Sequence, residues 1–94
     1  MRTKLRMTWV PINGDWLSCQ KDFRYINGHK ASLRRIALAV DVTEQAYYKY
    51  VHTGKMPLDV VIATADALDV NPIAFSSVEV TSDGDVLVPK EIFA

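Results

Sequence analysis

The sequence contains few of the residues that stabilise small proteins by forming disulfides or binding metal ions. It has one cysteine and two histidines among 94 residues. Cys19 alone cannot form an intramolecular disulfide, and one cysteine with two separated histidines does not supply a metal-ligand set. The sequence therefore predicts no metal and no cofactor. Because 49% of the residues are hydrophobic, it predicts instead one folded domain over residues 1–94, stabilised by an apolar core.

Long apolar runs are also absent. The longest, residues 36–40, is far too short to cross a bilayer. The basic N-terminus is soon interrupted by polar residues, so it does not have the pattern of a secretory signal. We expect a cytoplasmic protein of a bacterial or phage-infected cell, with no membrane partner.

The formal net charge is zero, yet the charges are unevenly distributed along the chain. Residues 1–55 carry ten Lys and Arg against four acids, a net charge of +6, and residues 56–94 carry one base against seven acids, a net charge of −6. A basic half can bind phosphates while the acidic half faces away. The alternative is that these are solvated surface charges without a partner.

The stretch from Ser32 to Tyr50 has the spacing of two short helices joined by a tight turn. Leu33, Ile36 and Val40 fall on one stripe with Ala37. After the break at residues 41–43, Tyr47, Tyr50 and Val51 form the inner side of a second helix. This is the pattern of a helix-turn-helix, whose second helix can enter a DNA major groove.

The rest of the chain predicts two more helices, one further helical turn and terminal strands. A first helix is expected from Trp16 to about Ile26, capped by Asp15, with Asn27-Gly28 as its C-cap. Ser32 and Thr43 are expected to cap the second and third helices, and Pro57 to open a fourth. The predicted inner stripe of the first helix comprises Trp16, Cys19, Gln20 and Phe23. The core stripe of the fourth comprises Leu58, Val61, Ile62, Ala65 and Leu68. The extra turn is at Asn71-Pro72, and the strands are at residues 4–10 and 78–88, the latter reversing at Asp83-Gly84.

The predicted fold is therefore mainly α. It has four to five short helices with a central helix-turn-helix over a core at residues 15–75, and a small antiparallel sheet built from the termini. Cys19 is expected to be a small buried side chain, and Trp9 and Trp16 to anchor the core or an interface.

Residues 32–75 resemble the Cro/C1-type helix-turn-helix family, the phage repressor-like or XRE type. The resemblance is carried by the pairs Ile36-Ala37 and Val42-Thr43, by Val40, Tyr47 and Tyr50, and by the stretches GKMP at residues 54–57 and ADALDV at residues 65–70. It implies a helix before this core, two after it, and binding to operator DNA. Asp41 stands where the family usually has a turn glycine, and it can adopt the left-handed conformation with more strain than glycine.

The candidate DNA-binding residues fall into two groups. Gln45, Tyr48, Lys49 and His52 share the outer face of the third helix, where glutamine can bond adenine and lysine can donate to guanine. Thr43 and nearby N–H groups can hold a phosphate, and Glu44 either accepts a bond from cytosine or favourably meets the helix dipole. The flanking cations suited to phosphate contact are Lys30, Arg34, Arg35 and Lys55.

No catalytic residues are predicted, because no carboxylate or nucleophile stands at a recognisable spacing from either histidine. We therefore expect a non-enzymatic regulator that binds a double-stranded DNA operator as a homodimer and has no small-molecule substrate. The alternating valines of the terminal strands either pair two copies or cover their own core. The alternative function is a protein-interaction module, such as an antitoxin or a phage protein that captures a host factor through its sheet or its acidic half.

Overall fold

A computed structural model describes residues 9–87, which fold as an α+β domain. The helices are α1 (Gly14–Ser18), α2 (Leu33–Ala39), α3 (Glu44–Thr53) and α4 (Leu58–Leu68). The strands are β1 (Trp9–Pro11), β2 (Tyr25–Ile26), β3 (His29–Lys30), β4 (Lys55–Pro57), β5 (Glu79–Val80) and β6 (Val86–Leu87). Two short 3-10 turns occupy Gln20–Asp22 and Pro72–Ala74.

The caps of α2, α3 and α4 are those predicted from the sequence. The Ser32 hydroxyl accepts a hydrogen bond from the Arg35 amide at 3.3 Å, and the Thr43 hydroxyl accepts one from the Ala46 amide at 3.1 Å. These bonds satisfy amides that a helix start leaves without intrahelical partners. Pro57 immediately precedes α4. Local capping chemistry therefore sets where these helices begin.

The expected long first helix is wrong. α1 has one and a half turns and is capped by Asn13, whose side chain accepts from the Trp16 amide at 3.0 Å, rather than by Asp15. The segment predicted as its second half forms the 3-10 turn at Gln20–Asp22 and then β2, which pairs with β3 in a hairpin that places Tyr25 opposite Lys30. Asn27 and Gly28 have φ of 50° and 82°, which suits the turn of a two-residue hairpin and not only a helix cap.

The inner stripe expected for the first helix is confirmed at two of its four positions. Gln20 is buried and Trp16 packs against the core, while Cys19 is exposed and Phe23 is 75% exposed. The expectation of a buried Cys19 is therefore wrong. Because the helix ends at Ser18, side chains beyond that residue no longer follow the 3.6-residue period on which the expectation depended.

The strands at the two ends do not form one sheet within the described residues. β1 pairs antiparallel with β4, so that Trp9 lies opposite Pro57 and Pro11 opposite Lys55. β5 and β6 form the hairpin predicted around Asp83-Gly84. The two regions meet through a single bridge between Ile12 and Ser76. Residues 4–8 and 88 of the predicted strands lie outside the described range.

The core lies where α2, α3 and α4 pack together against β1 and β4. Four of the five residues predicted for the stripe of α4 are buried, and Ile62 packs at the edge of the core. The fully buried side chains include one polar residue of α4, Thr64. The largest of them are Tyr47, Phe75, Leu17, Ile36, Met56, Val10, Val61, Val78 and Thr64.

Candidate nucleic-acid interface

The link between α2 and α3 is a tight turn centred on Asp41. Asp41 has a φ of 60°, in the left-handed region that costs residues other than glycine some strain. The chain then turns back, and the Val42 amide donates to the carbonyl oxygen of Ala37 at 3.0 Å. Thr43, the next residue, caps the start of α3. The turn thus joins α2 to α3 as the helix-turn-helix pattern predicts.

The inner face of α3 is fixed by Tyr47. Its side chain is fully buried, and its hydroxyl lies 2.9 Å from the Thr64 hydroxyl oxygen on α4. Burial raises the pKa of Tyr47 to about 12, with the bond to Thr64 acting in the opposite direction. The phenol is therefore neutral at physiological pH and joins α3 to α4 from inside the core.

The outer face of α3 is exposed as predicted. All four side chains placed there are exposed to solvent. Tyr48 is 44% exposed although it follows the fully buried Tyr47. Together they offer hydrogen-bond donors and acceptors and one permanent positive charge. The four residues are Gln45, Tyr48, Lys49 and His52.

A small charged cluster forms at the start of α3. The Arg34 guanidinium Nε lies 3.9 Å from a Glu44 carboxylate oxygen. Glu44, first as a hydrogen-bond acceptor and also through its charge, raises the pKa of Tyr48, while the charge of Arg34 opposes this. Both members of the ion pair are exposed, so the pair adds little stability. Glu44 therefore contacts neighbouring side chains of the protein in addition to lying at the positive end of the helix dipole.

The remaining predicted cations are distributed around this face. Lys30 ends β3 and is exposed, Arg35 is partly buried on α2, and Lys55 is exposed at the start of β4. Lys49 and Lys55 line one groove beside α3. The structure thus places Arg34 beside Glu44, and it places Lys49 and Lys55 along the same groove.

The contribution of α1 to this surface was missed by the sequence analysis. Asp15 and Ser18 of α1 line a cleft of about 530 Å³ together with Tyr48 and His52 of α3. The approach is possible because residue 14 is glycine: a Cβ there would lie 2.4 Å from the Val51 carbonyl oxygen. A glycine between two polar residues gives no apolar pattern that would indicate packing, although a glycine also permits a close helix contact.

Neither a metal-ligand cluster nor a membrane-spanning helix is found within residues 9–87. This part of the chain contains no group of three or more His, Cys, Asp and Glu side chains that could hold a metal ion. Among the helices described, none combines the length and the apolar character that a membrane span requires. Comparison with protein-family models, curated proteins and solved structures finds no match to this chain.

Proposed function

We propose that this chain is a sequence-specific double-stranded DNA-binding transcriptional regulator, of the kind found as phage or mobile-element repressors and Cro-like proteins. The observation that carries the proposal is the division of α3 into two faces. Its inner face is fixed through Tyr47, and its outer face presents Gln45, Lys49 and His52 to solvent behind a tight turn from α2. A helix supported in this way can enter the major groove with its polar side chains facing base edges.

Each exposed group has a chemical role in this proposal. Gln45 bonds adenine in a bidentate fashion, and Lys49 donates to the acceptor atoms of guanine. Tyr48 reaches a phosphate or stacks. The first backbone N–H groups of α3, next to the Thr43 hydroxyl, donate hydrogen bonds to a phosphate oxygen at the positive end of the helix.

The distribution of charge supports the same orientation on DNA. Lys30, Arg34 and Lys55 are exposed around the helix-turn-helix, whereas the exposed acids Asp59 and Asp66 lie on α4. Cations around the recognition helix attract phosphates locally even though the net charge is zero. Backbone contacts of this kind set orientation, and base contacts set sequence preference.

The proposed regulator acts in the cytoplasm as a homodimer on paired half-sites and blocks polymerase by occupying its operator. One recognition helix contacts too few base pairs for useful discrimination, which favours a dimer. Val78 is buried in its own domain, while Val86 and Leu87 are 42% and 50% exposed on the β5–β6 hairpin. The exposed edge of that hairpin is the surface we assign to the second copy. A clean monomer in sedimentation, both free and on DNA, contradicts the dimer.

The proposal is tested by measuring duplex binding as salt rises from ~50 to ~200 mM, where several phosphate contacts cost orders of magnitude in affinity. Arg34→Ala combined with Arg35→Ala should weaken binding to all duplexes alike and flatten the salt slope. Lys21→Ala, which removes an exposed charge outside the proposed interface, is the matched control and should leave the slope unchanged. Sequencing of genomic DNA selected by the purified protein then identifies the operator. Binding that ignores salt, or that stays at background on every sequence, would refute the proposal.

A protein-interaction module remains the second candidate, because two neighbouring aromatic side chains are unusually open. Phe23 and Tyr25 are 75% and 67% exposed, immediately before and at the start of the β2–β3 hairpin. Exposed aromatic residues are enriched at protein interfaces. This candidate predicts no salt-dependent duplex binding, so the same titration distinguishes the two.

A further inference from the structure

A groove runs between β1 and α3. Only two of its lining residues, both lysines, are among the DNA-binding residues predicted from the sequence. Its volume is about 550 Å³. It is adjacent to the outer face of α3, with which it shares Lys49. Its lining residues are Trp9, Ala46, Lys49, Tyr50, Thr53 and Lys55.

The groove is produced by the pairing of β1 with β4. Gly54, with a φ of 78°, ends α3 and reverses the chain into β4. Because Pro11 then lies opposite Lys55 and Trp9 opposite Pro57, the Trp9 indole is placed beside α3. It packs edge-on to Tyr50 with ring centroids 5.7 Å apart, yet remains 45% exposed. An indole held in this way offers a large apolar surface to a ligand without having to become ordered first.

The chemistry of the groove is apolar and cationic. Among residues 9–87, two lysines and no carboxylate line it, so the charge of this described lining is complementary to an anion. A second copy of this chain is a poor occupant, because an isologous contact would bring Lys49 and Lys55 of both copies together. The sugar–phosphate backbone of DNA combines an apolar sugar with a negative phosphate, which matches both properties.

We propose that this groove binds the DNA backbone beside the segment that α3 reads, with Trp9 packed on a deoxyribose and Lys55 on the adjoining phosphate. This inference rests on the proposed function, and it adds Trp9 and β1 to the interface. Lys49, at the border of the groove, places the backbone contact and the base contacts on one continuous surface. Contacts of this kind position the protein and carry no sequence information.

The experiment uses two single-tryptophan proteins. Trp16→Phe leaves Trp9 as the only tryptophan, and Trp9→Phe leaves Trp16, which stacks on Phe75 in another part of the domain. Each is titrated with a fluorescein-labelled duplex of random sequence at ~50 mM salt, and binding is followed independently by the anisotropy of the label. We expect DNA to quench Trp9 and to protect it from iodide, and to leave Trp16 unchanged.

Two further variants separate the apolar contact from the ionic one. Trp9→Ala should weaken binding to every duplex by roughly 5-fold without changing the salt slope, because it removes apolar contact and no charge. Lys55→Gln should reduce the slope by about 0.9, the share of one phosphate. If Trp9→Ala fails to fold, the single-tryptophan titrations still show whether DNA contacts Trp9.

Each remaining outcome overturns the inference in a distinguishable way. Duplex binding with unchanged Trp9 emission refutes the groove but leaves the proposed function intact. Trp9 emission that changes with protein concentration alone, without DNA, assigns the groove to a second copy. No duplex binding by anisotropy refutes the proposed function together with the inference.

Discussion

The hydrogen bond between Tyr47 and Thr64 offers the sharpest test of how this domain is held together. Both side chains are fully buried, and their hydroxyl oxygens are 2.9 Å apart. The other neighbour of the Thr64 hydroxyl is the Met56 sulfur at 4.0 Å, a weak acceptor. Tyr47→Phe removes the phenolic hydroxyl and keeps the ring, so the cost comes from leaving Thr64 without a good partner. That cost is about 1–3 kcal/mol of unfolding free energy.

The magnitude is large for a domain of this size. A loss of 1 kcal/mol lowers Tm by about 4–8 °C in domains of 60–100 residues. Tyr47→Phe should therefore lower Tm by roughly 5–20 °C. Tyr47→Ala also removes the buried ring, at about 3–5 kcal/mol, which approaches the total stability of many small domains. Thermal and urea melts followed by circular dichroism measure both variants.

A double-mutant cycle isolates the bond itself. Thr64→Val preserves the shape of the side chain and leaves the Tyr47 hydroxyl without its partner, so it should cost about as much as Tyr47→Phe. The double variant leaves neither hydroxyl buried and unpaired, so it should be destabilised much less than the sum of the two. Strict additivity of the two single changes would refute the claim that these hydroxyls stabilise the domain by bonding to each other.

Four further outcomes are expected. Tyr48→Ala should change the stability by less than about 0.5 kcal/mol, because its side chain is 44% exposed and lies outside the buried core, and should weaken duplex binding in a gel shift; a large fall in Tm would contradict the helix phase. Because folding raises the pKa of Tyr47 from 10.0 to about 12, the unfolded chain ionises first. The stability from the neutral phenol is thus complete below pH 10 and is lost as the pH rises to about 12, and alkaline melts of Tyr47→Phe should not show this part of the loss. Gly14→Ala should cost about 1–3 kcal/mol in a urea melt, since its Cβ would meet the Val51 carbonyl oxygen; an unchanged midpoint would contradict that contact. Asp41→Gly should raise the stability by up to about 1 kcal/mol by relieving left-handed strain, and a lower Tm would show that the aspartate side chain supports the turn.

The helix-turn-helix could be predicted from the sequence because its determinants are local. Ser32 and Thr43 stand at the starts of two periodic runs, and a hydroxyl there bonds an amide only three residues away. The helical period then assigns different faces to Tyr47 and Tyr48 without knowledge of the rest of the chain. Both assignments are confirmed by the burial of these side chains.

The segment before the helix-turn-helix, residues 9–31, could not be predicted in the same way. The dipeptide Asn27-Gly28 is compatible with a helix cap and with a hairpin turn, and its short flanking segments do not decide between them. The partner of β1 is set by a contact across more than forty residues of chain, which periodicity does not encode.

The burial of Thr64 was not predicted either, because a core stripe is recognised from apolar residues. The Thr64 hydroxyl can be buried because Tyr47 provides its hydrogen-bond partner.

The contacts on the inner side of α3 explain how a small domain can present a recognition helix in one orientation. Tyr47 joins α3 to α4, Gly14 lets α1 approach the Val51 carbonyl, and Tyr50 packs against Trp9 of β1. Held from three elements, α3 has little freedom to rotate its outer face away from the groove that it reads. A change such as Gly14→Ala that shifts α3 without removing a charge should therefore weaken sequence discrimination and leave the salt slope as it is. Loss of a flanking cation should do the reverse. Measuring the salt slope and the specificity ratio of the same variants separates support of the helix from contact with the phosphates, and equal effects on both quantities would contradict this division.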